Sequence, residues 1–119
     1  MAAPNLANVS TITGTAVGAA LTNTVTTSLL ANGAASGTVI KVNGITVTNI
    51  SASSATTTMD FFNGTTGYRL AYTLTVPVGA TVVIVDKDAY LYLAEGCSVR
   101  GGASANSALE SVITYEVMS

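Results

Sequence analysis

The chain has 119 residues and a net charge of −2, and only 8% of its residues are charged, against about 25% in ordinary globular domains. It contains no His, no Trp and one Cys, which excludes His-based nucleophile systems, Cys–His zinc sites and an internal disulfide. Four basic residues, Lys41, Arg69, Lys87 and Arg100, are too few and too scattered to follow a phosphate backbone, so no nucleic-acid partner is expected.

The first 20 residues read as an N-terminal arm, partly extended, with a short strand at residues 9–13. Their Ala, Gly and Asn content resists packing into a core of their own. The opening stretch lacks the basic and apolar segments of a signal peptide. Residues 14–21 are apolar but far short of the roughly 20 residues that cross a bilayer, so no membrane partner is expected. The Gly14–Gly18 spacing is chance in a Gly/Ala-rich loop.

Residues 21–119 read as one β-sandwich domain. Thr and Val dominate, Gln is absent, and no window keeps a helical apolar period. Strands are expected at residues 22–31, 38–50 and 57–62, separated by turn clusters or by a Ser/Ala/Thr loop. Asn43-Gly44 interrupts the second of these. It is either a hairpin turn or a bulge, because the apolar parity changes from Ile40 and Val42 to Ile45 and Val47. A hairpin would leave two very short strands, which favours the bulge.

Residues 68–76 alternate cleanly, with Tyr68, Leu70, Tyr72, Leu74 and Val76 on one face, so Tyr68 and Tyr72 are expected to pack into the core. Residues 81–85 are apolar on both faces, as in a central strand or one lying under a partner. Short strands are expected at residues 90–93 and 98–100, then a loop from Gly101 to Ser107. A closing strand covers residues 109–117, with Leu109, Ile113, Tyr115 and Val117 inward. The fold class is all-β: an antiparallel β-sandwich, jelly-roll-like, of about eight strands.

Few residues could carry chemistry. Asp86 and Asp88 flank Lys87 and read as a solvated turn rather than a calcium site. Cys97 has no imidazole to activate it and reads as a buried, inert thiol. Three glycosylation sequons, at Asn8, Asn49 and Asn63, are uninformative in a chain this rich in Asn, Ser and Thr. No catalytic residue, metal ligand or cofactor is expected, and the chain is not expected to be an enzyme.

Mean hydropathy is +0.54 without a membrane span, so much of the surface is expected to lie under other protein chains. A homo-oligomer follows, and a trimer is expected. Asn5, Leu6, Val9 and Ile12 in the arm, with the outward pair Tyr90 and Tyr92, are the candidate interface residues.

Several stretches carry a family likeness. They are the Asn5-Leu6 entry, Thr38-Val-Ile-Lys-Val-Asn-Gly-Ile-Thr-Val, Val76-Pro77-Val78-Gly79-Ala80, Tyr90-Leu-Tyr-Leu-Ala-Glu-Gly96, Ser104-Ala105-Asn106 and Ser111-Val-Ile-Thr-Tyr-Glu-Val117. Together they resemble small β-sandwich virion proteins of tailed bacteriophages, of the marine and cyanobacterial phage type. Some of these are capsid decoration, or cement, proteins; similar chains also occur in tails and fibres. Similar chains often place an acidic residue after the Glu-Gly pair, where this one has Cys97. The resemblance implies a place on the capsid surface, the major capsid protein as partner, and stabilisation of a phage head without turnover. The competing expectation is a tail or fibre adhesin that binds a host-surface receptor.

Overall fold

The computed structural model describes residues 9–119. Nine strands run in order: β1 (Ile12–Ala20), β2 (Ser28–Ala31), β3 (Val39–Asn49), β4 (Ala55–Phe62), β5 (Gly67–Val76), β6 (Thr81–Val85), β7 (Leu91–Leu93), β8 (Ser98–Ala103) and β9 (Leu109–Met118). One sheet has the order β1-β9-β3-β6, with β7 also pairing β3; the other has the order β2-β8-β4-β5. Every pairing is antiparallel. Apart from the three-residue β7, the chain weaves between two four-stranded sheets in the double Greek-key order of a jelly roll.

The core is aliphatic. Val42, Ile45 and Val47 of β3 lie against Met59, Leu93, Val99, Leu109 and Ile113, all fully buried or nearly so. In β3 the parity change has the expected cause. Val42 opposes Tyr115 and Gly44 opposes Thr114, so Asn43 is an extra residue and the interruption is a bulge. The bulge lets Ile40, Val42, Ile45 and Val47 all point inward from one continuous strand.

Two buried asparagines hold the places where the chain changes sheet. Asn32, just after β2, donates from Nδ2 to the carbonyls of Thr38 and Leu93. Its Oδ1 accepts from the hydroxyls of Ser36 and Thr38. Asn49, at the end of β3, donates to the carbonyls of Ser53 and Val76 and accepts from the Ser51 amide and hydroxyl. Each side chain makes all four of the bonds an amide can make.

Several expectations need correction. The first strand is Ile12–Ala20, not residues 9–13. It runs through Gly14 and Gly18 because β9 pairs with it over its whole length. Half of the expected arm is thus an extended strand bonded to the sandwich, although most of it stays exposed. Residues 22–27 do not continue β2. The Thr24 amide bonds the Thr22 hydroxyl, and the Thr27 amide and hydroxyl both bond the Thr24 carbonyl. These local threonine bonds compete with a strand ladder.

Gly101 and Gly102 lie inside β8, not in a loop. A Cβ on Gly101 would come within 2.6 Å of Met59 Cγ, and one on Gly102 within 2.6 Å of the Thr24 carbonyl oxygen. These glycines serve close packing rather than a turn. β6 is an edge strand, not a central one, and its Val83 is 60% exposed.

Tyr68 and Tyr72 are not core residues; they are 59% and 70% exposed. Irregularities in the β4–β5 register break the alternation, and Thr73 takes a positive φ of 46°. The Thr58 hydroxyl accepts from the Thr73 amide at 3.0 Å and holds this distortion in place.

Three substitutions test these assignments. Gly102→Ala drives a methyl group into backbone and is expected to cost about 3 kcal/mol, the upper end for overpacking. Gly14→Ala meets nothing within 4 Å and is expected to be neutral or to gain up to about 0.5–1 kcal/mol. Urea midpoints of the two variants against the parent chain check the contrast. Asn49→Ala strands the Val76 carbonyl in the core and is expected to cost about 3 kcal/mol, at roughly 1–3 for each unpaired buried group. Loss of less than about 1 kcal/mol by the same measurement would remove the corner role of Asn49.

Candidate interaction surfaces

The outer face of the β1-β9-β3 sheet carries the first surface. Gly14, Glu116, Lys41 and Tyr92 stand in one row across β1, β9, β3 and β7. Lys41 Nζ sits 4.5 Å from the centre of the Tyr90 ring, and the Tyr90 and Tyr92 rings meet edge to face at 5.3 Å. Glu116 Oε1 accepts from Asn43 Nδ2 at 2.9 Å, so the bulged residue of β3 is tied to β9 on this side. The result is an aromatic corner with one cation over it and an amide–carboxylate pair beside it. Tyrosine rings of this kind give contact area at low entropic cost.

Leu91 and Leu93 point the other way, and Leu93 is fully buried, so the tyrosines are the outward pair of β7 and its lead-in. Ile12 opposes Met118 at the start of β1 and is 57% exposed. It lies on the same sheet as Tyr92 but three strand steps away, about 14 Å at roughly 4.8 Å per step. Val9 is half-buried and precedes the strand. Asn5 and Leu6 lie outside the described residues. The expected interface set is thus divided between an edge strand and an aromatic corner.

The outer face of the other sheet carries a feature that the sequence reading missed. Asp60 of β4 opposes Arg69 of β5 on one side and Arg100 of β8 on the other. Arg100 forks onto the carboxylate, with Nε to Oδ1 at 2.9 Å and Nη2 to Oδ2 at 2.7 Å. Arg69 Nη1 adds a longer contact of 3.3 Å to Oδ2. The Asp60 side chain is only 5% exposed, although it lies on a sheet's outer face.

Gly67 makes the ion pair possible. A Cβ there would run into Asp60 Oδ2 and Arg100 Nη2. The Arg100 guanidinium also lies 4.0 Å from the centre of the Phe62 ring, and Arg69 leans over Tyr72 at 5.9 Å. The hydrogen bonds that Arg100 donates to Asp60, aided by the carboxylate's charge, hold the Arg100 pKa above its ordinary value against the opposing effect of burial. The available sequence signal was Asp60 itself, the lone charge in a Thr- and Phe-rich strand.

The remaining candidates are quiet. Asp86 Oδ1 accepts from the amides of Asp88 and Ala89 and caps a short 3-10 turn at Lys87–Ala89. Cys97 is a buried free thiol. Among the described residues no three His, Cys, Asp or Glu side chains converge on a common point, and no helix is long and apolar enough to cross a membrane. No protein-family model, curated protein or solved structure matches the chain.

The two arginines are not equivalent, and that can be measured. Arg100→Ala leaves Asp60 buried with one long contact and is expected to cost about 3–5 kcal/mol, as when one partner of a buried pair is removed. Arg69→Ala removes a half-exposed partner and is expected to cost less than about 1 kcal/mol. Equal losses in chemical denaturation would mean that the fork from Arg100 onto Asp60 does not dominate.

Proposed function

We propose that the protein is a non-enzymatic structural subunit of a phage virion, which decorates the head by bridging major capsid protein subunits and associates with copies of itself. One observation carries this reading. At least eleven large hydrophobic side chains are exposed among the described residues, while the whole chain has four basic and six acidic side chains, ten in all. A surface richer in large apolar groups than in charges is poorly suited to a free monomer and well suited to burial in an assembly.

The fold supports the same reading without deciding it. Jelly rolls recur in viral shells and in lectins, and a fold alone does not fix a function. A decorating subunit acts by binding the assembled shell and not its separated parts, which stabilises the shell by mass action. About 800 Å² per partner suffices for specific contact. With so few charges, Val, Ile, Leu and Tyr surfaces supply most of the affinity.

A tail or fibre adhesin is the second reading, favoured by the Tyr90–Tyr92 corner with Lys41, Asn43 and Glu116 beside it. Rings next to amide and carboxylate groups are the elements of a carbohydrate site.

Washing purified particles separates the two. In about 1 M salt the Debye length falls to about 3 Å, which weakens ion pairs but not apolar contacts. The protein is expected to stay on the heads and to be absent from isolated tails. Release at that salt would indicate an electrostatic dock. Recovery on tails alone, with glycan-array binding that Tyr92→Ala abolishes, would replace the cement reading with the adhesin reading.

A further inference from the structure

β1 ends its sheet with an unprotected edge. β9 occupies one side of Ile12–Ala20, and among the described residues nothing pairs with the other. Proteins usually blunt such an edge with Lys, Pro, a bulge or a short strand, because its free amide and carbonyl groups can pair with another chain. β1 has none of these. It is nine residues long, pairs with β9 without a register shift, and reads Ile-Thr-Gly-Thr-Ala-Val-Gly-Ala-Ala with no charge and no proline.

The strand is also close to its own reverse. About Ala16, Thr15 mirrors Val17, two β-branched residues of similar shape, and Gly14 mirrors Gly18. Thr13 mirrors Ala19 and Ile12 mirrors Ala20. A two-fold interface needs this kind of self-complementarity, since each residue must accept its mirror position on the other copy.

The ends of the strand complete the match. At the C-terminal end Gly18, Ala19 and Ala20 form a shallow pit of about 300 Å³ with Glu110, Ser111 and Val112 of β9. At the N-terminal end Ile12 stands 57% exposed. Ile12 and Ala20 share a face, since their β9 partners Met118 and Glu110 are an even number of residues apart. Antiparallel pairing about Ala16 sets Ile12 of each copy opposite Ala20 of the other, at the mouth of the pit.

We propose that β1 is the self-association edge of this protein: two copies pair their β1 strands antiparallel about Ala16, with Ile12 of each entering the Gly18–Ala20 pit of the other. The two sheets then run on as one across the pair. This two-fold arrangement replaces the trimer expected from composition, and it does not depend on where on a particle the protein docks.

The test uses the full chain. Analytical ultracentrifugation is expected to show a dimer at micromolar concentration. Ala16→Lys and Ala16→Glu each set like charges face to face on the two-fold axis, so each alone is expected to weaken dimerisation by at least about tenfold, since like charges directly opposite repel. Mixed one to one, they are expected to restore a heterodimer, which only a register with position 16 facing itself allows. Ala16→Cys adds no charge and decides the matter if a charged variant fails to fold. Directly opposed Cα atoms lie about 4.5–5.5 Å apart, within disulfide range, so it is expected to cross-link on oxidation while the parent, whose Cys97 is buried, does not. A parent chain that stays monomeric at about 100 μM, where even weak edge pairing is populated, would overturn the proposal. So would a trimer, a dimer that survives Ala16→Lys, or a monomer whose β1 edge takes up only a capsid-protein strand.

Discussion

Each time the chain crosses from one sheet to the other it must turn sharply and bring its backbone polar groups into the rim of an aliphatic core. Asn32 and Asn49 make two of these crossings possible. Each spends its whole amide on the problem, two donors on carbonyls and one oxygen on two local donors. Each also ties its crossing to a distant one by backbone bonds. Asn32 exchanges bonds with the Gly96–Cys97 turn, and Asn49 with the Gly79–Ala80 turn. The sheets are thus fastened at their corners by side-chain amides and filled between them by Val, Ile, Leu and Met.

That division of labour explains how a chain so poor in charge still has a defined outer surface. The Asp60 carboxylate ties β8, β4 and β5 together across one face, with Phe62 and Tyr72 beside the arginines. On the opposite face Glu116, Asn43, Lys41 and Tyr90 link β9 to β3 and on to β7. Both networks pin neighbouring strands and leave aromatic edges open. The chain has no histidine, the one side chain whose ordinary titration falls between pH 5 and 8.

What could be read from the sequence follows from where the signal was stored. β3, β9 and the outward Tyr90–Tyr92 pair were legible because their alternation is their own property, and the Asn43 bulge showed as a change of parity. β1 was not, because Gly14, Ala16 and Gly18 say nothing about β9, which makes them a strand. Gly101 and Gly102 misled for a related reason: a missing Cβ serves a turn or a close approach, and only the neighbours Met59 and Thr24 tell which. Tyr68 and Tyr72 misled because two register shifts against β4, one at Thr73 and one between Arg69 and Ala71, break the alternation of β5 without leaving a mark in the pattern. The partners of Asp60 come from strands 9 and 40 residues away, a pairing that no local spacing encodes.

The β1–β9 pairing also sets an order of events during synthesis. It joins Ile12 to Met118, and β9 is at the same time the neighbour of β3. The sheet that contains β1 therefore stays split until β9 has emerged: β1 has no partner, and β3, already paired with β6 and β7 on one side, is bare on the other. Contacts of such long separation make folding slow and leave strand edges bare meanwhile. The β4–β5 hairpin has its partner at hand much earlier and can form first. A growing chain of this protein is accordingly most vulnerable to pairing with its neighbours just before β9 is complete.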